Sequence, residues 1–533
     1  MFSSSSSDTL GFTRRGAQTA LALLLLFVAC WDVRAVLADR RIGPTDTTVQ
    51  DSLFVQDLVG RFGPAGLKQF LEACFKGPLV GPVLALFQPL VGDPLQAARL
   101  ASVLLHLVVL WMIWRMAILL TRRYTAGLLA VLAAGTFPSE YGWFRLDSHE
   151  PFLAVATLLT LWLLMRPMVR VGAAAQLGLV IALGTLAKVA FPIHVALPCA
   201  YYAARRLRER SQRRLLAVAG TVAFALVAWW MAVAWDSIAQ YIGWSVVTSQ
   251  ETWGFSSIWQ ALGTRLRLLV NICSMRGAPV YLVVALGGAA VAWRWRTVER
   301  EPLLLLLLAF LGTAAILVLV FDSWPRYMVP VFPVVGLLCA IGVTALLDRL
   351  ALRWSRARLR LALAGGVAAL LALYVHDNVV GVGGPAGREN REGLVAPDRR
   401  PHVAYPRALL HLARHRLPAL EIPGSPAMVG HRPMALGPLW AHRGYRLGAL
   451  AGMQALQILD RRQPIHLLFA HRTGKLAAQL RDTAGEDHFD REQLAALLQY
   501  PMRVVRTFRD PDDVSYSIVR VSPKAPDQAP KSR

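Results

Sequence analysis

The chain has 533 residues, of which 55% are hydrophobic, and its mean hydropathy is +0.44. Apolar stretches near the roughly 20 residues that cross a bilayer recur along it, which excludes a soluble globular class and predicts a polytopic membrane protein. The net charge of +24 does not indicate a nucleic-acid partner, because most basic residues outside the C-terminal tail lie in short segments between apolar runs.

The first apolar run covers residues 17–37 and follows Arg14 and Arg15, while residues 1–16 are expected to be a disordered cytoplasmic N-terminus. Val36 and Ala38 also fit the small-residue positions of a cleaved signal peptide, and in either case the following segment is exported. The outer loop 38–96 contains two amphipathic segments, "DSLFVQDLVGRF" and "GLKQFLEACF", which are too short and polar to span. We expect them to form helices that lie in the membrane interface.

Ten further spans bring the predicted total to eleven transmembrane helices. They are expected at residues 97–119, 124–140, 150–166, 174–187, 190–204, 214–235, 278–295, 302–321, 328–347 and 360–380. Residues 174–204 are interpreted as two short helices that meet near the outer surface. A single crossing there would place "RRLRERSQRR" outside, against the positive-inside rule.

Basic connections alternate along the chain and predict its orientation. They are "TRRY", "RPMVR", "RRLRERSQRR", "RWRTVER" and "DRLALRWSRARLR", together with the Arg14 and Arg15 start. Because Lys and Arg concentrate in cytoplasmic loops, all of these segments are assigned to the cytoplasm of a multi-pass inner-membrane protein. The C-terminal tail then lies outside.

The tail differs in composition from the apolar region, residues 17–380, that precedes it. After a Gly-rich linker, helical patterns ("PRALLHLARHRL", "GALAGMQALQILDRR", "DREQLAALLQY") alternate with strand-like runs ("PIHLLFAH", "MRVVRTF", "VSYSIVRV"). The segment "RDPDD" is typical of a hairpin connection. We therefore predict a small extracytoplasmic α/β domain at residues 381–520, followed by a disordered tail at 521–533.

Ionisable residues at the outer ends of predicted spans or in outer loops are the candidates for a site, because charges at membrane depth are costly and usually face a cavity or a partner. They are Asp51, Lys76, Arg145, Asp147, Lys188 and Arg326. Each one alone also fits a solvated loop end or a snorkelling side chain. The five cysteines show no paired spacing, so neither a zinc site nor a disulfide framework is indicated.

The order of five short motifs carries a family resemblance. "QDSLF", "FKGPL", "FRLDSHEPF", "GTLAKVAFP" and "WPRYMVPVFP" follow one another on the predicted outer side. This order resembles the GT-C membrane glycosyltransferases, and in particular their protein O-mannosyltransferase and aminoarabinose-transferase branch, over roughly residues 17–350. The chain departs from the family pattern at Ser52, where a Glu often follows the Asp, and at Gly77, where a second Pro is commoner.

The resemblance implies a glycosyltransferase that retains its first helix and uses a polyprenyl-phosphate sugar donor. Asp51 would be the general base, with Asp46 and Asp57 as alternatives, and Lys76, Lys188 and Arg326 would bind the phosphate. Tyr327 completes the Arg-Tyr-x-x-Pro match. Arg145 and Asp147 would form the cavity wall and reach towards groups of the outer loop. The acceptor would be a lipid, a glycan or a protein, and membrane lipids would surround the protein.

Three alternatives stay open. Asp147 and Ser148 also fit the cap of a helix that begins near Glu150 and Pro151. No cofactor is implied with certainty, and a divalent metal held by Asp147, His149 and Glu150 is compatible with the residue types but not indicated by their spacing. A transporter or flippase of a lipid-linked saccharide, or an inactive GT-C relative, would also need a polar cavity among apolar helices.

Overall fold

The computed structural model describes residues 13–38, 51–52, 55–56, 59–60, 62–74, 77–91, 94–145, 148–239, 263, 266, 278–320, 325–380, 419–422, 459, 464–472, 499–509 and 514–523. The chain forms two compact units. The helical unit comprises residues 1–36 and 68–397, and the sheet unit comprises residues 37–67 and 398–533. The predicted domain division had assigned the whole outer loop 38–96 to the transmembrane domain, whereas residues 38–67 group with the sheet unit.

Fourteen α-helices can be followed within the described ranges. They are α1 Arg14–Ala38, α2 Pro64–Ala73, α3 Val80–Phe87, α4 Pro94–Thr121, α5 Tyr124–Gly135, α6 Pro138–Phe144, α7 Glu150–Leu164, α8 Val171–Ala187, α9 Pro192–Arg206, α10 Arg210–Val233, α11 Ala278–Trp295, α12 Arg300–Val320, α13 Phe332–Leu350 and α14 Arg356–Val380. Two short 3₁₀ helices, Gln88–Leu90 and Pro325–Val331, precede α4 and α13.

Every predicted span overlaps one of these helices, and the helical membrane fold class is confirmed. Among the described residues, six helices are long and apolar enough to cross a membrane: Arg14–Leu37, Gln96–Thr121, Arg210–Val233, Arg300–Val318, Tyr327–Leu350 and Arg356–His376. Five apolar helices are shorter, so the count of eleven crossings stays a prediction. Residues 174–204 do form two helices, α8 and α9, as predicted.

The centre of the helical unit is α13, whose residues 332–342 are all buried. It packs against α11, α5 and α4. At its crossing with α11, a Cβ built on Gly288 would lie 2.6 Å from the Cα of Gly342, so the two backbones are in direct contact. A Cβ built on Gly336 would similarly lie 2.7 Å from the Cβ of Ala134 in α5. Small residues at such crossings let membrane helices approach closely.

The outer helices leave apolar side chains uncovered. Phe224 of α10 is 74% exposed and Leu361 of α14 is 76% exposed. In water such surfaces would be costly, whereas the hydrocarbon of a bilayer solvates them. The arrangement therefore fits a bundle whose polar groups lie inside and whose apolar groups face lipid.

The sheet unit contains a four-stranded sheet with strand order β1-β2-β4-β3. Its strands are β1 Ala419–Ile422, β2 Ile465–Arg472, β3 Met502–Arg509 and β4 Val514–Val521. β1 is parallel to β2, and the other two pairings are antiparallel. The three predicted strand-like runs are confirmed as β2, β3 and β4, whereas β1 was not predicted.

The described residues include only part of the segments predicted as a hairpin, as tail helices and as outer-loop helices. β3 and β4 are antiparallel neighbours, as the hairpin prediction requires, although residues 510–513 of the connection lie outside the described residues. The three helical patterns of the tail fall almost wholly outside them. In the first outer loop, α2 confirms a helix over most of "GLKQFLEACF", and Asp51, Ser52, Val55 and Gln56 are helical in the other segment.

Candidate active site

Four buried side chains from four parts of the helical unit form one polar cluster, named here the Asp32 cluster. Asp32 in α1 is fully buried, and its Oδ1 accepts a hydrogen bond from Nε of Arg145 at 2.7 Å. Its Oδ2 lies 2.8 Å from Nδ1 of His106 in α4, and Nη2 of Arg145 donates to the hydroxyl of Tyr374 in α14 at 3.1 Å. A carboxylate and a guanidinium thus neutralise each other, which a buried site requires.

Aromatic contacts fix the geometry of this cluster. The ring of His106 stacks on Phe144, the last residue of α6, with centroids 4.6 Å apart. The ring of Tyr374 packs against Phe27 of α1 at 5.9 Å. Because packing restricts the rotamers of His106 and Tyr374, Arg145 is held from several sides at the C-terminus of α6.

A second buried ion pair lies where α8 ends. Lys188 follows α8 in an extended conformation (φ −161°, ψ 130°), and α9 begins only at Pro192. The Nζ of Lys188 lies 2.5 Å from Oε1 of Glu150, the first residue of α7, and 4.8 Å from the ring centroid of Tyr327. Glu150 and Lys188 are both buried. This group of three is named the Lys188 cluster.

The segment that follows Lys76 packs against the same helix end. The backbone N–H of Leu79 donates to the carbonyl of Leu186 at 3.0 Å, and Gly77 has φ +156°. A Cβ at position 77 would lie 2.5 Å from the oxygen of Leu186. Only glycine suits this backbone conformation and this close approach. The departure from the family's second Pro at this position therefore has a structural reason.

The segment 145–150 joins the two clusters. Arg145 at its start is bound to Asp32, and Glu150 at its end is bound to Lys188. Asp147 lies between them in sequence, but its own placement is outside the described residues. Arg145 and Glu150 are therefore each held by a buried ion pair.

One more buried residue adjoins the Lys188 cluster. His194 in α9 is fully buried, and within the described part of the chain neither ring nitrogen has a hydrogen-bond partner. The charges of Lys188 and Glu150 both act on it. Its backbone N–H donates to the carbonyl of Phe191 at 3.0 Å, which ties it to the break between α8 and α9. Its ring is a candidate to hydrogen-bond a ligand there.

The structure describes the side chains of four of the seven predicted site residues: Asp51, Arg145, Lys188 and Tyr327. Lys188 and Tyr327 are brought together, while Arg145 lies in the Asp32 cluster. Arg145 binds Asp32 of α1 and Tyr374 of α14, and its reach towards the outer loop stays a prediction. Asp51 belongs to the sheet unit. Lys76, Asp147 and the side chain of Arg326 lie outside the described residues.

Sequence reasoning missed Asp32, His106, Glu150 and Tyr374 as members of these clusters. Asp32 and His106 carried a usable signal, because each is a polar residue inside an apolar run, where such groups are costly and functional. The predicted helix start near Glu150 and Pro151 is confirmed by α7, but no partner was predicted for Glu150. Tyr374 gave no signal, since a single Tyr in a membrane helix is common.

No group of three or more His, Cys, Asp or Glu side chains suited to a metal ion occurs among the residues that the structure describes. Glu150, one of the three residues considered for a metal, is engaged by Lys188. Asp147 lies outside the described residues, and a metal held by these three residues stays a hypothesis.

Comparisons with known proteins show that this helical fold is similar to that of GT-C membrane glycosyltransferases. The family model for dolichyl-phosphate-mannose-protein mannosyltransferase matches residues 76–235. That range includes Arg145, Glu150, Lys188 and His194. The predicted resemblance to the GT-C enzymes and their mannosyltransferase and aminoarabinose-transferase branch is confirmed.

Solved structures give the same fold. ArnT from Cupriavidus metallidurans bound to undecaprenyl phosphate is 14% identical with a TM-score of 0.60, and the match covers 95% of this chain and 98% of that one. Oligosaccharyltransferase AglB from Archaeoglobus fulgidus, in complex with an inhibitory peptide and a dolichol-phosphate, is 11% identical with a TM-score of 0.50, covering 93% and 74%. A mutant of the mycobacterial arabinofuranosyltransferase AftD is 16% identical at 0.50, covering 97% and 42%. No curated protein matches the sequence.

Proposed function

We propose that this protein is a membrane glycosyltransferase that moves a sugar from a polyprenyl-phosphate donor to an acceptor at the outer face of the cytoplasmic membrane. The observation that carries the proposal is the Lys188 cluster, a buried cation placed at a helix break beside Glu150 and Tyr327. The fold it shares with ArnT, whose structure contains undecaprenyl phosphate, supports a lipid-phosphate ligand.

The chemistry needs fixed positive charge where the phosphate leaves. The ammonium of Lys188 has three donors and gives one to Glu150, so it can bind phosphate while it stays paired. Lys76 directly precedes Gly77, which packs on the end of α8, and Arg326 directly precedes Tyr327, which faces Lys188. In the proposal these three cations surround one phosphate, with Arg326 able to supply two donors.

The reaction is a direct displacement at the anomeric carbon of the sugar. A carboxylate takes the proton of the acceptor hydroxyl as its oxygen attacks, and the polyprenyl phosphate departs with the bonding electron pair. The resemblance assigns the base to Asp51, with Asp46 and Asp57 in the same loop as alternatives. Asp147 would orient the sugar or the acceptor from the segment that Asp32 and Lys188 hold at either end.

A transfer assay tests the proposal. Purified protein in vesicles is given radiolabelled polyprenyl-phosphate sugars together with lipid, glycan and protein acceptors, and lipids that copurify with it are identified by mass. Transfer of the label, or a bound polyprenyl phosphate, is the expected result. Movement of the labelled donor across the vesicle without transfer would instead support a flippase. Neither transfer nor movement would indicate an inactive relative.

A further inference from the structure

The sheet unit carries a row of basic residues whose positions are set by strand register. Arg503 of β3 is the direct partner of Arg520 in β4, and Arg520 is the direct partner of His466 in β2. Side chains of direct partners lie on the same face of a sheet. Arg503 and Arg520 are exposed, so two like charges stand opposite each other on the surface. Such a pair is destabilising unless an anion lies near it.

A β-bulge adds a third arginine to this face. The register of β3 shifts between Val504 and Arg506, so Val505 is the inserted residue. Without the insertion Arg506 would point away from Arg503, because successive side chains alternate. With it, Arg506 pairs with Ile518 and shares the face of Arg503 and Arg520. Arg509, further along β3, pairs with Ser515 and falls on the opposite face.

Two of the three arginines, Arg503 and Arg506, belong to β3, which lies at the edge of the described sheet. It is the outermost strand on its side, and Val504, which is 45% exposed, pairs with Val519 and therefore lies on the face opposite the three arginines. Exposed arginines at the edge of a sheet can approach the headgroup region of a membrane, where cations meet lipid phosphates.

We propose that the face defined by Arg503, Arg506 and Arg520 binds the phosphate headgroups of anionic phospholipids. Charge complementarity favours this partner over a neutral lipid. Chain connectivity supports it further, because the sheet unit follows directly on α1 and is linked to α14, and both are candidate membrane spans. The binding surface holds the sheet unit at the bilayer. The proposal does not depend on the glycosyltransferase activity.

Hydrogen exchange on the full-length protein in lipid nanodiscs tests this inference. The probes are discs of neutral phosphatidylcholine and discs that also contain phosphatidylglycerol. We expect amides of residues 502–509 to exchange about fivefold more slowly in the anionic discs, since each arginine near an anionic surface contributes attraction. High salt should abolish the difference by screening. Equal exchange in the two kinds of disc would overturn the proposal.

The register supplies a matched control. The triple variant Arg503→Gln, Arg506→Gln, Arg520→Gln should lose the protection, while Arg509→Gln on the opposite face should keep it. Unchanged exchange of β2 residues 465–472 will show that the triple variant still folds. If Arg509→Gln loses protection equally, the effect is one of net charge and the face is not a site. If free glycerol phosphate protects residues 502–509 in neutral discs, a soluble anion replaces lipid as the partner.

Discussion

At the residue scale, the helical unit places two carboxylates and two cations in its interior as matched pairs. A buried charge that loses its partner costs about 3–5 kcal/mol, whereas removal of both charges is often neutral. Asp32 with Arg145, and Glu150 with Lys188, therefore differ from surface ion pairs such as Lys68 with Glu72. The difference allows structural and functional roles to be separated by substitution.

Lys188→Met should destabilise the protein, because it leaves Glu150 buried and unpaired. The double variant Lys188→Met, Glu150→Gln should recover most of that stability. Donor affinity should nevertheless fall by about 10–100-fold in both, since a hydrogen bond to a charged group is lost in each. Thermal unfolding and donor titration check this. Recovery of donor affinity in the double variant would remove Lys188 from the phosphate site.

Asp32→Asn should act on turnover through Arg145. Because the substitution weakens the hold on Arg145, we expect kcat to fall by roughly 10–100-fold while donor affinity changes little. Asp348→Asn is the matched control, because Asp348 also joins two parts of the bundle through Arg123, at 3.0 Å, away from the segment 145–150. Steady-state kinetics on folded protein measure kcat for both variants. An equal fall in kcat for the two would mean that Asp32 has only a structural role.

Asp51→Asn tests the base assignment. The amide keeps the shape of the carboxylate but cannot take a proton, so turnover should drop by roughly 10²–10⁴-fold with donor binding preserved. Asp46→Asn and Asp57→Asn in the same loop serve as internal controls. A selective collapse at either of them moves the assignment there, and full transfer by all three variants would exclude a base in this loop.

At the element scale, glycines set how closely the helices pack. Gly288 of α11 touches the backbone of Gly342 in α13, whereas its neighbour Gly287 has nothing within 4 Å of its built Cβ. The two positions therefore differ in packing but share one helix and one residue type. Comparing substitutions at the two positions therefore measures how much stability depends on the close crossing of α11 and α13.

Gly288→Ala should destabilise the helical unit by about 1–3 kcal/mol, because the added methyl forces two backbones apart. Gly287→Ala should be neutral or stabilising, since alanine favours a helix more than glycine does. Thermal unfolding in detergent measures both. Equal melting temperatures for the two variants would mean that the crossing is looser than described.

At the scale of the whole molecule, the alternation of basic segments predicts the orientation of the chain in the membrane. Reporter fusions at about residues 210, 300 and 355 should report the cytoplasm, and a fusion at about residue 400 should report the exterior. The fusion at 210 is the most informative, because it follows the α8–α9 pair and its break at Lys188. An external signal there would mean that α8 and α9 together make a single crossing.

The sequence by itself determined the membrane class, the position of each long helix and three of the four strands. These features depend on local periodicity and composition, which can be read from residues that are close together in the sequence. It also predicted Lys188 and Tyr327 as site candidates, because both belong to motifs that are contiguous in sequence, and the structure brings the two together.

Only the tertiary structure decided which charges meet. Asp32 and Arg145 are 113 positions apart, and Arg145 and Tyr374 are 229 apart, so no local pattern links them. The grouping of residues 37–67 with the sheet unit and the arginine face created by the bulge in β3 are also products of long-range packing and strand pairing. Periodicity specifies which face of an element is buried, but the partner on the other side depends on how the whole chain folds.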